Sequence, residues 1–455
     1  MSLSEYCDVI AAIATPAGPG ALGIIRLSGE GALEYADRVF RGARRLATSQ
    51  GNRLHVGLFM DSDTVLDQVV ASVYKSPQSF TGDDTVEFSF HGSPYILQRA
   101  MEVLVELGVR PARPGEFTQR AFLHGKLDLS QAEAIADLIA AESRTSHAFA
   151  MQQLRGGYSQ KLSALRSELI NFSALIELEL DFSEEDVEFA NREQLKNLLH
   201  SLHQEISQLA GSFALGNALK KGIHTVIAGQ PNAGKSTLLN ALLNENRAIV
   251  SDIPGTTRDT IEEMINIKGI QFRLVDTAGL RQTIDSIEQQ GVQKTIEEIN
   301  KGVLLLYVYD VTTMTPAEVM HEVEGFVRDG LHVILVGNKT DLLASAPEPF
   351  YAQQRFVSAQ NGLSLDALKE DMYVWASAGT SSADAMVVTN VRHYHALISA
   401  LQSIELVQQG LLDHTPTDLL ASDLHSALDA IGSIVGIISP NEVLDAVFSR
   451  FCIGK

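Results

Sequence analysis

Cysteine is nearly absent: Cys7 and Cys452 are the only two in 455 residues. They cannot supply a disulfide framework, and this usage fits a reducing cytosol. Positive charge is also scarce, with 35 Lys and Arg against 56 Asp and Glu and a net charge of -21. That balance argues against a general affinity for a nucleic-acid backbone; a nucleic-acid substrate would have to meet a local basic patch or a partner protein. Long apolar runs are missing too. The longest, "VLLLYVYDV" from position 303, is too short to cross a bilayer and reads as a buried strand. The opening "MSLSEYCDVIAAIATPAGPGAL" has no basic n-region, so no secretory leader is expected. The expectation is a cytoplasmic protein without a membrane partner, and its 45% hydrophobic and 20% charged residues are ordinary for a globular chain.

At roughly 150 residues per domain the length suggests about three domains. Residues 1–125 are rich in Gly, Pro and short β-like runs ("GIIRLSG", "VEFSFHG") and predict an α+β domain. Residues 126–220 carry almost no Gly or Pro, and Leu162, Leu165, Leu169, Leu175 and Leu178 recur at helical spacing. Residues 221–379 alternate apolar strands ("HTVIAG", "FRLVD", "HVILVGN") with helical stretches, the mark of a parallel α/β sheet. Residues 380–455 are helical again. Because domain ends often lie close together, the α/β domain is expected as an insertion in one discontinuous helical domain of residues 126–220 and 380–455. No internal repeat or low-complexity tract is present.

The inserted segment carries the chemistry. "GQPNAGKST", Gly229 to Thr237, fits G-x-x-x-x-G-K-S between the strand "HTVIA" and the amphipathic "STLLNALLN". The backbone of Asn232, Ala233 and Gly234 can turn N–H groups to phosphates, aided by the helix N-terminus. Lys235 reaches the β- and γ-phosphates, Ser236 offers a hydroxyl to Mg²⁺, and Thr237 completes the turn. "NKTD" (Asn338, Lys339, Asp341) follows another strand, and a carboxylate such as Asp341 can accept both N1–H and N2–H of guanine, a donor pair adenine lacks. "VSA" places Ser358 and Ala359 where a last base-contacting loop belongs. Between them lies "SDIPGTT" (Ser251, Asp252, Ile253, Pro254, Gly255, Thr256, Thr257), whose Thr257 is the natural second Mg²⁺ hydroxyl. "DTAG" (Asp276, Thr277, Ala278, Gly279) ends a strand with the carboxylate that holds the metal's water shell, and Gly279 N–H can meet the γ-phosphate.

The residue after Gly279 is Leu280, where many GTP-hydrolysing switches carry a Gln to orient water. Arg281, Gln282 and Glu288 are the nearby polar candidates: Arg281 reads as well as a solvated charge, Gln282 has the right chemistry at the wrong offset, and Glu288 reads by default as a surface helix residue. Elsewhere, "GPGALG" at 18–23 formally matches a dinucleotide fingerprint but precedes a strand, so it reads as a turn. "RHYH" at 392–395 spaces its two His at i, i+2, which do not share a helix face, so a polar helix surface is expected rather than a metal site. Cys452 stands alone near the C-terminus, as substrate-proximal thiol or buried small residue. Arg99, Arg110, Arg113 and Arg120 give their stretch a weak basic bias that does not locate a nucleic-acid surface.

Together "GQPNAGKST", "GTTRD", "DTAGLR", "NKTD" and "FCIGK", with "TPAGPGALGIIRLSG" and "ARPGEFTQRAFLHGKLDLSQAEAIADLI", resemble the MnmE (TrmE) family of tRNA-modification GTPases over essentially the whole chain. The resemblance implies an N-terminal tetrahydrofolate-binding-like α+β domain, a helical bundle and an inserted Ras-like P-loop G domain. It implies GTP hydrolysis activated by G-domain dimerisation and by K⁺, with Asn232, Ser251, Ile253 and Thr256 about the ion and Glu288 positioning the attacking water. It assigns Arg26, Glu87, Lys126 and Lys455 to a folate derivative, 5,10-methylene- or 5-formyl-tetrahydrofolate. The implied partners are a second copy, through constitutive N-terminal contacts and GTP/K⁺-dependent G-domain contacts, an FAD-dependent MnmG/GidA-type protein in a heterotetramer, and tRNA modified at C5 of its wobble uridine. A GTPase switch in assembly, such as ribosome maturation, and a slow GTP-binding scaffold are the competing readings.

Overall fold

The computed structural model describes residues 8–181, 192–244, 262–276, 288–345, 347–378, 387–413 and 415–437, together with 444, 447–449, 451, 452 and 454. Two compact units are present. The first comprises Met1–Ala140, Met151–Ala190 and Pro416–Lys455; the second comprises Ala141–Ala150 and Asn191–Thr415.

The first unit is built on a seven-stranded sheet of β1 (Ile10–Ile13), β2 (Leu22–Ser28), β3 (Phe40–Gly42), β4 (Arg53–Asp61), β5 (Thr64–Tyr74), β6 (Thr85–His91) and β7 (Arg110–Pro111). Its spatial order is β3-β4-β5-β6-β2-β1-β7. Period-2 patterning sets the buried face: Ile25 and Leu27 of β2, Val69, Ala71 and Val73 of β5, and Val86, Phe88 and Phe90 of β6 point to one core. Phe59 meets Phe88 and Phe90 edge-on, with ring centroids 5.4 and 5.0 Å apart. Helices α1 (Ala32–Val39) and α2 (Pro94–Glu106) cover that face. α2 has Pro94 in its first turn, where no intrahelical N–H is needed, and buries Leu97, Ala100, Val103 and Leu104. α3 (Glu116–Leu123) and α4 (Leu129–Ile139) follow; Asp128 and Gln131 form a reciprocal capping box at the start of α4. α5 spans Arg144–Leu154. The long α6 (Gly157–Asp181) packs against α14 (Thr417–Val435), with Leu162, Leu165 and Leu169 buried on one and Leu420, Leu424 and Ile431 on the other.

Besides the Ala141–Ala150 segment, the second unit contains α7 (Arg192–Gly211) and α8 (Phe213–Lys221) and, at its other end, α13 (Val391–Leu412). α7 buries Leu195, Leu199, Leu202 and Ile206 and packs on α13, which buries Leu397, Ala400, Ile404 and Val407. Between them lies a six-stranded sheet of β8 (Ile223–Ala228), β9 (Glu262–Ile267), β10 (Ile270–Asp276), β11 (Leu304–Asp310), β12 (His332–Asn338) and β13 (Gln354–Phe356), in the order β13-β12-β11-β8-β10-β9. Every pairing is parallel except β9 with β10. Helices α9 (Lys235–Asn244), α10 (Glu288–Lys301), α11 (Pro316–Glu324) and α12 (Leu365–Ala378) complete the Ras-like α/β arrangement. β11 and β12 are buried along nearly their whole lengths, as parallel strands covered on both faces require.

One expectation needs correction. "RHYH" is not simply a polar surface: His393 is buried while His395 is exposed, and the Tyr394 ring stacks on Phe213 at 4.4 Å. Tertiary packing of α13 overrides the polarity of the tetrapeptide. The weak basic bias of Arg99, Arg110, Arg113 and Arg120 in sequence is met by carboxylates in the fold. Arg99 pairs with Asp61, Glu102 and Glu106; Arg110 and Arg120 share Asp8 and Glu116; and Arg113 lies 3.5 Å from Glu116. Their charges are answered by carboxylates of the same unit. No helix among the described residues is long and apolar enough to cross a membrane.

Candidate nucleotide and folate sites

In the second unit the described sequence-selected residues gather at the carboxyl ends of parallel strands, where open α/β sheets place their ligands. β8 runs into the loop from Gly229, and α9 opens at Lys235. Asn232 (φ 61°) and Gly234 (φ 93°) both take left-handed backbone, curling the loop back on itself. The Lys235 ammonium is buried beneath the loop and donates to the carbonyls of Gly229 (3.0 Å) and Gln230 (2.8 Å). A bound phosphate chain offers the same ammonium stronger acceptors. Ala233 is buried; Thr237 lies exposed on the first turn of α9.

β10 is parallel to β8 with Asp276 opposite Ile227, and this register brings Asp276 beside the start of α9. Ser236 Oγ donates to Asp276 Oδ2 at 2.7 Å. A hydroxyl and a carboxylate side by side are an oxygen donor set suited to Mg²⁺ and its waters.

On the other side of β8, β12 delivers Asn338 almost fully buried. Asn338 Nδ2 donates to the Ala233 carbonyl at 2.9 Å, and Asn338 Oδ1 accepts from Ala359 N–H at 3.0 Å. One side chain thus ties the phosphate-type loop to the "VSA" loop. Gly234 has to be glycine: a Cβ there lies 2.3 Å from Asn338 Nδ2. Lys339 (φ 69°) donates to Asp310 Oδ2 at 2.6 Å. Burial pushes the Asp310 carboxyl up, but bonds from Lys339 and Thr312 outweigh it and hold the group below its ordinary value. Ser358 Oγ donates to Asp341 Oδ1 at 2.6 Å, aiming that carboxylate from the second loop. Ser251, Asp252, Ile253, Pro254, Gly255, Thr256, Thr257, Thr277, Ala278, Gly279 and Leu280 lie outside the described residues. Glu288 is the first residue of α10, and its side chain is also outside them.

The sequence reading missed Asp310. It ends "LLLYVYD" as Asp276 ends "FRLVD", and a carboxylate closing a second buried strand was the available signal. It also missed the Gln230 contact with Glu322.

In the first unit, β2 and β6 pair Arg26 directly opposite Glu87. Both Nε and Nη2 of Arg26 reach Glu87 Oε1 at 2.8 Å. The guanidinium lies 5.5 Å from the ring centroids of Phe80 and Phe117, and Nη1 donates to the Gly454 carbonyl at 3.4 Å. The two phenylalanines and the Gly454 carbonyl were not foreseen. Lys126 is exposed after the Gly125 turn, and Lys455 lies outside the described residues. Cys452 is an exposed free thiol whose carbonyl accepts from Gly115 N–H at 3.4 Å, so the buried reading of this residue does not hold.

Two family models divide the chain. "GTP-binding protein TrmE N-terminus" matches residues 9–126, and "MnmE helical domain" matches 129–452. The chain belongs to the MnmE family of tRNA modification GTPases. The tRNA modification GTPase MnmE of Cytophaga hutchinsonii is 44% identical, over 100% of this chain and 99% of its own length. The protein of the same name from Christiangramia forsetii is 46% identical over 98% and 99%, and that from Bacteroides thetaiotaomicron 44% over 98% and 99%. Among solved structures, the G domain of the T. maritima FeoB iron transporter aligns with 33% of this chain and 97% of its own at 25% identity and a TM-score of 0.26, and the assignment does not lean on it. As an MnmE-family member the chain is a GTP hydrolase of tRNA modification, with N-terminal, helical and Ras-like G domains.

Proposed function

We propose that this GTPase works with an FAD-dependent MnmG/GidA-type partner to modify C5 of the wobble uridine (U34) of certain tRNAs, installing a carboxymethylaminomethyl- or aminomethyl-type group. The one-carbon unit comes from 5,10-methylene- or 5-formyl-tetrahydrofolate, and hydrolysis depends on K⁺. The observation that carries the GTPase half is the Ser236–Asp276 pair beside the Lys235 ammonium, at the end of the strand pair β8–β10.

Asn232, Ala233, Gly234, Lys235, Ser236 and Thr237 bind the phosphates, with Ser251 to Thr257 and Asp276 to Gly279 closing over them. Ser236 and Thr257 would hold Mg²⁺; Asn232, Ser251, Ile253 and Thr256 would hold K⁺. When bound, the cations supply counter-charge for the bridging and γ-phosphate oxygens. Asn338, Lys339, Asp341, Ser358 and Ala359 read the guanine, Asp341 accepting its N1 and N2 hydrogens while Ser358 keeps the carboxylate in place. Glu288 orients the water, replacing the Gln that Leu280 cannot mimic.

Arg26, Glu87, Lys126 and Lys455 hold the folate. The fit rests on donor chemistry: Arg26 engages Oε1 of Glu87, and among the described residues no hydrogen bond to Oε2 competes with the N–H edge of a pterin. Phe80, partly exposed, offers a ring face. Cys452, an exposed free thiol, is a substrate-proximal residue in this reading. The domains are 1–125, 126–220 with 380–455, and 221–379. The chain acts in the cytoplasm as a homodimer, constitutive through its N-terminal domains and GTP/K⁺-dependent through its G domains, and forms a heterotetramer with the partner. Leu54, Val56 and Leu58, alternate residues exposed along β4, form an apolar stripe consistent with the constitutive contact.

Mass analysis of tRNA from cells lacking the chain tests the proposal. Loss of the U34 substituent, restored by the wild type and not by Ser236→Ala, is expected. Unaltered U34 in the deletion strain would overturn it.

A further inference from the structure

Strands β11 and β12 end side by side, with Asp310 opposite Asn338 in their parallel register. The chain past Asn338 then sets two opposite charges in one loop, Lys339 and, two positions on, Asp341. At that spacing no more than about 7 Å separates their Cα atoms. An ammonium on a flexible four-carbon stem can reach a carboxylate over such a distance. Lys339 takes a different partner. Its Nζ donates to Asp310 Oδ2 across the strand pair, at 2.6 Å. Asp341 Oδ1 accepts from the neutral Ser358 Oγ at 2.6 Å, and the residue is exposed.

Asp310 is itself fixed. Its Oδ1 accepts from Thr312 N–H at 2.9 Å and from Thr312 Oγ1 at 2.6 Å, and its carbonyl accepts from Thr313 N–H at 3.2 Å and Met314 N–H at 3.1 Å. One carboxylate oxygen is thus engaged by the turn and the other by the ammonium. The Asp310 side chain is only 13% exposed, so water screens the pair incompletely. Lys339 has φ 69° and ψ 34°, a left-handed conformation that a residue with a Cβ keeps only where its surroundings fix it. From that bend starts the single 3₁₀ turn Thr340–Leu342, which carries Asp341.

We propose that Asp310 is a specificity-determining positioning residue of the nucleotide site: by holding the Lys339 ammonium it keeps Asp341 open to guanine, a role that presupposes Asp341 as the guanine acceptor. Released from Asp310, the ammonium has Asp341 within reach. A carboxylate closed on a lysine must give up a charge-assisted bond before it can accept from a base. Guanine offers Asp341 both N1–H and N2–H, whereas hypoxanthine lacks the N2 amine, so the loss falls mainly on guanine.

The test is a competition titration of the full chain with GDP and inosine 5′-diphosphate against a fluorescent GDP. Asp310→Asn keeps an oxygen for Thr312 and removes the charge that holds Lys339. We expect GDP affinity to fall about tenfold or more, the size of a lost charge-assisted hydrogen bond, and the preference for GDP over inosine diphosphate to narrow. In a Lys339→Met background, where no ammonium remains to be released, the same substitution should cost less than about twofold. Thr312→Val, which frees the carboxylate from one hydroxyl, should narrow the preference in the same direction by about threefold. A melting curve of each variant establishes that it is folded. Equal losses in the two backgrounds give Asp310 a purely structural role and overturn the proposal, as does an unchanged base preference in both folded Asp310→Asn and Thr312→Val. Asp341→Asn, titrated alongside, separates the two levels: if it too leaves guanine preferred, the base contact and the role of Asp310 fall together, whereas a shift there with none in the Asp310 and Thr312 variants removes Asp310 alone.

Discussion

Asn338 Nδ2 donates to the carbonyl of Ala233 at 2.9 Å, joining the base-side loop of the nucleotide site to its phosphate-side loop. The same side chain accepts from Ala359 N–H, so three segments far apart in sequence are set by one buried amide. Asn338→Ala leaves the Ala359 N–H without that partner and loosens both loops. We expect GDP affinity to fall roughly tenfold or more, since each abandoned buried group costs about 1–3 kcal/mol. Gly234→Ala should act in the same direction, because its Cβ displaces the Asn338 amide. Fluorescent GDP titration is the measurement, and unaltered affinity in both variants refutes the clamp.

Asp341→Asn exchanges an acceptor-only carboxylate for an amide that also donates. Guanine's N2 amine then meets a donor, whereas xanthine, with a carbonyl at that position, gains one. Competition assays should show GTP affinity falling by about two orders of magnitude, as two charge-assisted bonds are lost, with xanthosine triphosphate preferred. Retained preference for GTP would remove Asp341 from the base contact.

Hydrolysis should be faster in KCl than in NaCl of equal ionic strength. Glu288→Ala should keep GTP binding and lose turnover by about 10²-fold or more, the scale of a missing acid–base or water-positioning group. Leu280→Ala should keep its chemistry. Equal slow rates in both salts remove the ion from the mechanism; full turnover by Glu288→Ala removes the carboxylate.

Arg26→Ala should abolish saturable binding of 5-formyl-tetrahydrofolate by the full chain while GDP binding persists. Because Arg26 also pairs with Glu87 across β2 and β6, a melting curve accompanies the assay. Folate binding at wild-type affinity in a folded variant excludes the residue.

Acid should weaken the first unit through Glu116 and Asp8. Burial pushes the Glu116 carboxyl up, but hydrogen bonds from Arg110 and from the Arg113 backbone, with the charges of Arg110 and Arg120, bring it net below its ordinary 4.5. Burial likewise raises Asp8, and Arg110 and Arg120 outweigh it. A carboxylate with a depressed folded value adds stability above its unfolded value and loses it as pH falls through the folded one. Urea midpoints followed by circular dichroism should therefore hold from pH 7 to about 5 and drop below about 4.5. Glu116→Gln at pH 7 should cost about 3–5 kcal/mol, because Arg120 is fully buried beside it. A midpoint indifferent to both changes contradicts this account.

Much of the nucleotide site was legible because its parts are local. A glycine-rich turn between a strand and a helix, or "NKTD" after a buried strand, needs only neighbours in sequence to make sense. The α/β alternation was equally plain, since parallel strands covered on both faces are written as unbroken apolar runs such as "VLLLYVYD". His393 was misread for the complementary reason. One histidine in a polar tetrapeptide gives no hint that α13 turns it inward, and only the packing of α7 and α13 settles that.

The sequence by itself determined the class of chemistry and the order of domains, because phosphate-binding turns, base-reading loops and helical or strand periodicity are written within a few tens of residues. The tertiary structure decided which distant groups meet: Arg26 with Glu87 and the Gly454 carbonyl, Asn338 with Ala233, Asp310 with Lys339. It also decided that four arginines of an apparent basic stretch are neutralised by their own unit. Those outcomes depend on strand register and helix packing, through which residues as far apart as Arg26 and Gly454 come within 3.4 Å, and no local pattern encodes such a distance.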